Sequence, residues 1–200
     1  MIRGEQIPQE LYSQQYSRCA LYLSHISFIR THFVARLGSG VRVIEFGGSN
    51  GFLADLFDGA DYEIAPNAPE VDVQDLRGYP TDTFDVVILD EILEHVAKPW
   101  IAVEQVRRIL KPGGCLITGS PFLIAEHRMP RDFWRFTKDG YRVLLEGYSE
   151  VETGSWGNPG SVAYLMEGMM ASTGDAIAAG TFDLTDVEKF AISVWAYAWK

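Results

Sequence analysis

The stretch Val41-Arg42-Val43-Ile44-Glu45-Phe46-Gly47-Gly48-Ser49-Asn50-Gly51-Phe52-Leu53-Ala54-Asp55-Leu56-Phe57 reads as a β-branched strand, a glycine-rich bend and the start of a helix. Glycines in such a bend let a ligand approach the backbone with no Cβ in the way. A strand, bend and helix in that order open a layered α/β fold whose ligand crevice lies at the carboxyl ends of the strands. Upstream, Leu11, Leu21, Leu23, Ile26, Phe28, Ile29, Phe33 and Val34 recur at near-helical spacing until Gly38-Ser39-Gly40 interrupts them. This predicts one or two helices over 10–37, capping the start of the sheet. Downstream, Tyr62 to Ala65 is a second strand, and Pro66 and Pro69 leave no room for the usual crossover helix. Val71 to Val73 is a brief third strand, and the unbroken apolar run Phe84 to Leu89 a strand buried on both faces. Helices are expected over 91–96 and 100–110, the second stopped by Lys111-Pro112-Gly113-Gly114. Further strands are expected over 115–119, 150–156 and 192–199, and helices over 136–146 and 162–170.

With 200 residues, 47% of them hydrophobic and 22% charged, the composition is that of a globular domain, expected to be single. Its 27 acids against 17 bases give a net charge of -10, a field that repels polyanions, so nucleic acid is not the expected partner. Cys19 and Cys115 stand far apart, so neither a disulfide framework nor a cysteine metal site is expected. No metal is expected, and a reducing cytoplasm suits this usage. Met1 to Glu5 lacks the apolar core of a signal peptide, and no apolar run approaches the ~20 residues that span a bilayer. The expected protein is cytoplasmic and does not insert into membranes.

The bend fails the dinucleotide pattern G-x-G-x-x-G, because Ser49 and Phe52 stand where small residues are needed. Glu45, at the strand end, suits a cationic ligand bearing an ammonium group better than a pyrophosphate. Glu45, Gly47 and Gly51 resemble motif I of class I S-adenosylmethionine-dependent methyltransferases; Ser49 replaces the middle glycine of that pattern. The segment Phe84 to Val96, with its Leu93-Glu94-His95 triplet, is similar to the fourth-strand motif of type 11 methyltransferases. Lys111-Pro112-Gly113-Gly114 resembles the turn before their fifth strand, so the likeness runs from about Val41 to Phe122.

The resemblance implies a Rossmann-like three-layer sandwich, with a mostly parallel seven-stranded sheet, an antiparallel last strand and an N-terminal helical cap. It divides the chain into a cap (1–37), a cofactor-binding half (41–122), a substrate lid (123–140) and a C-terminal half (141–200). It implies S-adenosylmethionine as cofactor, held by Glu45, Gly47, Gly48, Ser49 and Gly51. Glu63, 18 residues after Glu45 and followed by Ile64, is placed for ribose hydroxyls, with Asp61 as rival. Asp75, followed by Leu76, is the acid for the adenine amino group, with Asp72 as rival, and Leu89, Asp90 and Glu91 border the methionine portion. Nucleic-acid amino-methyltransferases carry Pro-Pro and an aromatic where this chain has Glu91-Ile92-Leu93.

The loop after the fifth strand holds Glu126-His127-Arg128-Met129-Pro130-Arg131-Asp132-Phe133-Trp134-Arg135, and a loop there opens on the crevice. If the acceptor is a hydroxyl, His127 is the candidate general base, with Asp132 as orienter or alternate; otherwise His127 is a loop hydrogen-bonder. Arg128, Arg131, Phe133, Trp134 and Arg135 are the candidate substrate contacts. Their arginines either attract an anionic substrate or pair with Asp132 and Asp139. His95 reads as a packing or capping residue, and Tyr16 as core. The expected function is methyl transfer to a small molecule, at the oxygen of a sugar, a lipid-linked compound or a secondary metabolite. The alternative is a regulatory protein that binds the cofactor without chemistry. The oligomeric state is not legible.

Overall fold

Phe84–Asp90 (β3) is the pivot of the sheet, and Val86, Val87, Ile88 and Leu89 are wholly buried, as an apolar run covered on both faces requires. In the computed structural model, which describes residues 7–33, 40–47, 51–66, 70–128, 130–167 and 172–200, β3 lies between two parallel neighbours. These are Arg42–Gly47 (β1) and Leu110–Pro121 (β4). Asp61–Ile64 (β2) pairs in parallel with β1 on its far side. Beyond β4 lies Ser193–Trp199 (β6), antiparallel both to β4 and to Glu150–Trp156 (β5). The order is β2-β1-β3-β4-β6-β5, with β6 alone reversed. The sheet thus has six strands among the described residues, where seven were expected. The missing one is 71–73, and the reason is local: Asp72 accepts from the backbone N–H of Gln74 at 2.9 Å, and the Asp75 N–H donates to the Asp72 carbonyl at 2.8 Å. An aspartate closing a turn on its own backbone competes with strand pairing.

Helices cover the sheet unequally. Tyr16–His32 (α1) buries ten of its residues, which ordinary amphipathy does not require. It is enclosed because β4, β5 and β6 meet one side of it while the segment around Thr173–Ala178 (α5) covers another. On the opposite face, Pro99–Ile109 (α2), opened by a proline at its first turn, buries Ala102, Val103, Val106 and Ile109. Lys138–Leu144 (α3), whose N-terminal cap is the Thr137 hydroxyl accepting from Gly140 N, packs beside it. Pro159–Glu167 (α4) follows β5. Two segments expected as helices are shorter: 52–57 contains only a 3-10 turn, Ala54–Phe57, and 91–96 only Leu93–His95. In the second case Glu91 adopts φ +50°, a left-handed conformation that prevents a helix from starting there. α5 was not read from the sequence, although Ser172 and Asp175 form a capping box at its start. No described helix is long and apolar enough to cross a membrane. Strand order reverses between β1 and β3, and the crevice at their carboxyl ends is where such sheets bind ligands.

Candidate active site

At that crevice lies a cavity of about 400 Å³, lined by Phe46, Gly47, Val71, Asp72, Val73, Gln74, Ile92, His95 and Val96 among others. Gly47 has φ +92°, and a Cβ there would fall 1.9 Å from Ile92 Cδ1, so the wall requires glycine. Gly51 has φ +81°, with Ile64 Cδ1 2.8 Å from where its Cβ would be. Glu45 is wholly buried, and its carboxylate accepts from Gly51 N at 3.2 Å and from the Tyr62 hydroxyl at 2.5 Å. It therefore ties the far side of the bend to β2. Gly48 and Ser49 lie outside the described residues.

The structure separates the two acids weighed for the adenine side. Asp75 faces solvent, where Arg77 donates to it at 2.6 and 2.5 Å and holds its carboxyl below the usual range. Asp75 does not line the cavity; Asp72, between the apolar Val71 and Val73, does. Both acids are exposed, and the turn that replaced the expected strand places only Asp72 at the cavity wall. Leu76 and Leu89 are wholly buried in the core on the α2 side, so both pack the sheet and neither lines the cavity. Glu63 is half-buried on β2 and contributes, after burial, to raising the Tyr79 hydroxyl pKa. Asp61 pairs with Arg42 at 3.1 Å at the surface, and Ile64 is exposed.

Asp90 and Glu91 meet a cation that sequence reading missed. Arg18 of α1 donates to Asp90 Oδ2 at 2.8 Å and lies 2.9 Å from Glu91 Oε2. The Tyr22 hydroxyl reaches Asp90 Oδ2 at 3.2 Å, and His25 Nε2 lies 3.7 Å from Oδ1. Burial raises the Asp90 pKa, but Arg18, His25 and Tyr22 outweigh it and hold the carboxyl below its ordinary value. Glu91 has weaker support, and burial pushes it up to about 7 even against Arg18. The signal was present in the sequence: Arg18, Tyr22 and His25 recur at i, i+4 and i+7, which puts them on one face of the helix.

The loop over 123–137 is docked on the Leu93–His95 turn. Phe133 N and Trp134 N donate to the Glu94 carbonyl at 2.7 and 3.3 Å, and Trp134 Nε1 donates to the Val96 carbonyl at 2.9 Å. His127 N donates to Asp132 Oδ2 at 2.8 Å, and His127 Nδ1 lies 3.3 Å from the same oxygen. Arg135 grips Asp132 through both guanidinium Nη atoms, which with the His127 N–H lowers that carboxyl to about 2. Burial lowers the His127 pKa, against the pull of Asp132. Arg135 is thus engaged within the loop, and Arg128 pairs with Glu126 at 2.6 Å. Arg131 is exposed with no ion pair among the described residues. Phe133 is exposed, while Trp134 packs edge-on to Trp100 and stacks on Phe136. Beneath them Glu94 is wholly buried, and neither carboxylate oxygen has a hydrogen bond among the described residues. His95 Nε2 and His127 Nε2 lie 3.6 and 4.0 Å from Glu94 Oε1.

Residues 46–118, from the end of β1 to the middle of β4, match the model of the type 11 methyltransferase-domain family. Over 100 residues, half of this chain, it is 34% identical to a ubiquinone biosynthesis O-methyltransferase of Xanthomonas oryzae pv. oryzae, and the match spans 39% of that enzyme. Over 56 residues it is 39% identical to an uncharacterized 37.1 kDa protein in a Streptomyces fradiae transposon, spanning 16% of it. The chain therefore spans well under half the length of these curated relatives. In fold it is similar to a SAM-dependent methyltransferase from Archaeoglobus fulgidus, with a TM-score of 0.54 and 11% identity over 89% of this chain and 94% of that one. A Haemonchus contortus phospholethanolamine N-methyltransferase solved with S-adenosylhomocysteine gives a TM-score of 0.57, at 13% identity over 88% of this chain and 52% of that one. The cavity fits the cofactor these folds use: apolar walls from Phe46, Val71, Val73 and Ile92 for a planar base, Asp72 and Gln74 for polar atoms, and a glycine where a side chain would fill the space. Residues 46–118 thus resemble the methyltransferase-domain family, and the fold is similar to that of S-adenosylmethionine-dependent methyltransferases.

Proposed function

We propose that the protein binds S-adenosylmethionine between β1 and β3 and transfers its methyl group to the oxygen of a small-molecule acceptor. The observation that carries this reading is the cavity at the switch point, where Gly47 clears space under Ile92 and Asp72 reaches the wall. Asp72 and Gln74 would hold the base, Glu63 the ribose, and the Arg18-braced Asp90 and Glu91 the amino-acid end. When bound, the cofactor supplies an electrophilic methyl on a cationic sulfur.

What remains for the protein is to align the acceptor, exclude water and find a place for a hydroxyl proton. The loop docked on Glu94 covers the crevice. Burial keeps His127 neutral near pH 7, which suits a proton acceptor, and Asp132, fixed by Arg135, orients its ring. The O-methyltransferase likeness of the Xanthomonas relative supports an oxygen acceptor. The loop arginines largely pair within the loop, so Arg131 is the residue we assign to an anionic group on the acceptor.

Calorimetric titration with S-adenosylhomocysteine tests the first step: saturable binding that weakens in Gly47→Val is expected, and absence of binding would overturn the reading. If binding holds, a methyl-release assay over phenolic, sugar and lipid-linked acceptors separates an enzyme from a regulatory protein that binds the cofactor alone.

A further inference from the structure

Glu94, His95 and His127 each direct one donor atom into a common space, with all three atoms within 4.8 Å of one another. We propose that these side chains bind a divalent transition-metal ion, of the kind that accepts two imidazoles and a carboxylate, with zinc the most fitting. Such a set leaves coordination positions open.

The chemistry of the three atoms requires something between them. His95 Nδ1 lies 2.5 Å from the Arg131 carbonyl oxygen, which only accepts, so that nitrogen carries the proton and Nε2 is left with a lone pair. Nε2 is the atom 3.6 Å from Glu94 Oε1. His127 is placed similarly but less tightly: Nδ1 lies 3.3 Å from the ionised Asp132 without a hydrogen bond, while Nε2 lies 4.0 Å from the same Glu94 oxygen. Each histidine therefore has its forward nitrogen toward a buried carboxyl, and on His95 the rear hydrogen bond is the outer-shell pattern that fixes a ligating tautomer. The two rings stand nearly perpendicular, 4.9 Å between centroids.

Three potential ligand atoms converge with no hydrogen bond between them. Glu94, wholly buried with both oxygens lacking hydrogen bonds among the described residues, is the expensive member. One proton on Glu94 satisfies at most one imidazole, whereas a divalent cation satisfies all three. The separations exceed the roughly 3.3 Å between ligands of a tetrahedral zinc, so the donor pairs must close by up to about 1.5 Å.

The position has a consequence for the reaction. His95 lines the cofactor cavity and His127 belongs to the docked loop, so the ion would join the loop to the cofactor side of the crevice. It would also occupy the Nε2 lone pair that the base role of His127 needs, and acceptor activation would pass from His127 to the ion. That last step rests on the methyl-transfer reading; ion binding does not.

The test uses the full chain stripped with a chelator and titrated with Zn²⁺ by calorimetry, with metal content measured after desalting. One equivalent is expected in the wild type and in His32→Asn, a control at a histidine outside the cluster. Glu94→Gln and His127→Asn should each weaken binding at least about tenfold. Failure to saturate, or affinity unchanged in both variants, overturns the site. Should either variant unfold, X-ray absorption on the zinc-loaded wild type decides: two imidazoles per zinc support the assignment and fewer reject it. S-adenosylhomocysteine titration on the same samples keeps the readings apart. Cofactor binding without zinc leaves only the methyltransferase reading standing, and zinc binding without cofactor leaves only the metal site.

Discussion

Asp72 and Asp75 are three residues apart and chemically identical, and only their hydrogen bonds distinguish them. Asp75 is held in solvent by Arg77, whereas Asp72 closes a turn on the cavity wall. Losing a hydrogen bond to a charged acceptor costs about 1.5–3 kcal/mol, so Asp72→Ala should weaken S-adenosylhomocysteine binding by roughly tenfold or more. Asp75→Ala should leave it unchanged, and the reverse ranking in a calorimetric titration would move the adenine acid back to Asp75. Arg18 gives a second contrast. Its guanidinium compensates the wholly buried Asp90 and the half-buried Glu91, so Arg18→Met should destabilise the fold by about 3–5 kcal/mol. Adding Asp90→Asn should recover part of that loss, because the uncompensated charge is then gone; denaturant melts of the single and double variants measure this. Glu45, Gly47 and Gly51 were legible because a bend declares itself by composition. Arg18 was not, because its partners lie more than 70 residues away, and the choice between Asp72 and Asp75 depends on a turn that local propensity reads as a strand.

At the scale of elements, the strands whose patterns were clearest, β1, β3 and β5, lie within a residue or so of where the sequence puts them. Elements defined by weaker signals shrank: the crossover after β1 is a single turn, and the helix expected after β3 is another. Short apolar runs do not distinguish a turn from a helix, and the left-handed Glu91 cannot be foreseen from composition. On the proposed reading, the docked loop is the element that aligns the acceptor. Its shape is held by the Arg135–Asp132–His127 chain and by backbone bonds to Glu94. Arg135→Ala removes the group that fixes Asp132, so hydrogen exchange should accelerate over 123–137 while the sheet stays protected. If loop placement aligns the acceptor, kcat/KM should fall by up to about 100-fold, with cofactor affinity unaltered. Unchanged exchange in the loop would mean that the bonds to Glu94 suffice without Asp132.

For the whole molecule, the decisive element is the last one. β6 comes from the chain's final residues yet lies inside the sheet, pairing along its whole length with β4 on one side and β5 on the other. Val194, Ala196, Tyr197 and Ala198 are buried there, joining both faces of the core. Without β6, β5 has no neighbour and β4 presents a long apolar edge. The lost burial and pairing exceed the roughly 5–15 kcal/mol that such a fold has in reserve, and an exposed edge of that length promotes association. Deleting 193–200 should therefore give insoluble protein with no cooperative melt, although every residue lining the cavity at β1 and β3 is retained. A milder change on the same seam grades the effect: a Cβ at Gly154 would fall 2.4 Å from the Trp195 ring, so Gly154→Ala should cost about 1–3 kcal/mol through displacement of that ring. Its thermal transition should stay cooperative but shift downward, and cofactor affinity below the new midpoint should match the wild type. A truncated chain that melts cooperatively and still binds S-adenosylhomocysteine would show that the half containing β1 to β4 folds without its reversed strand.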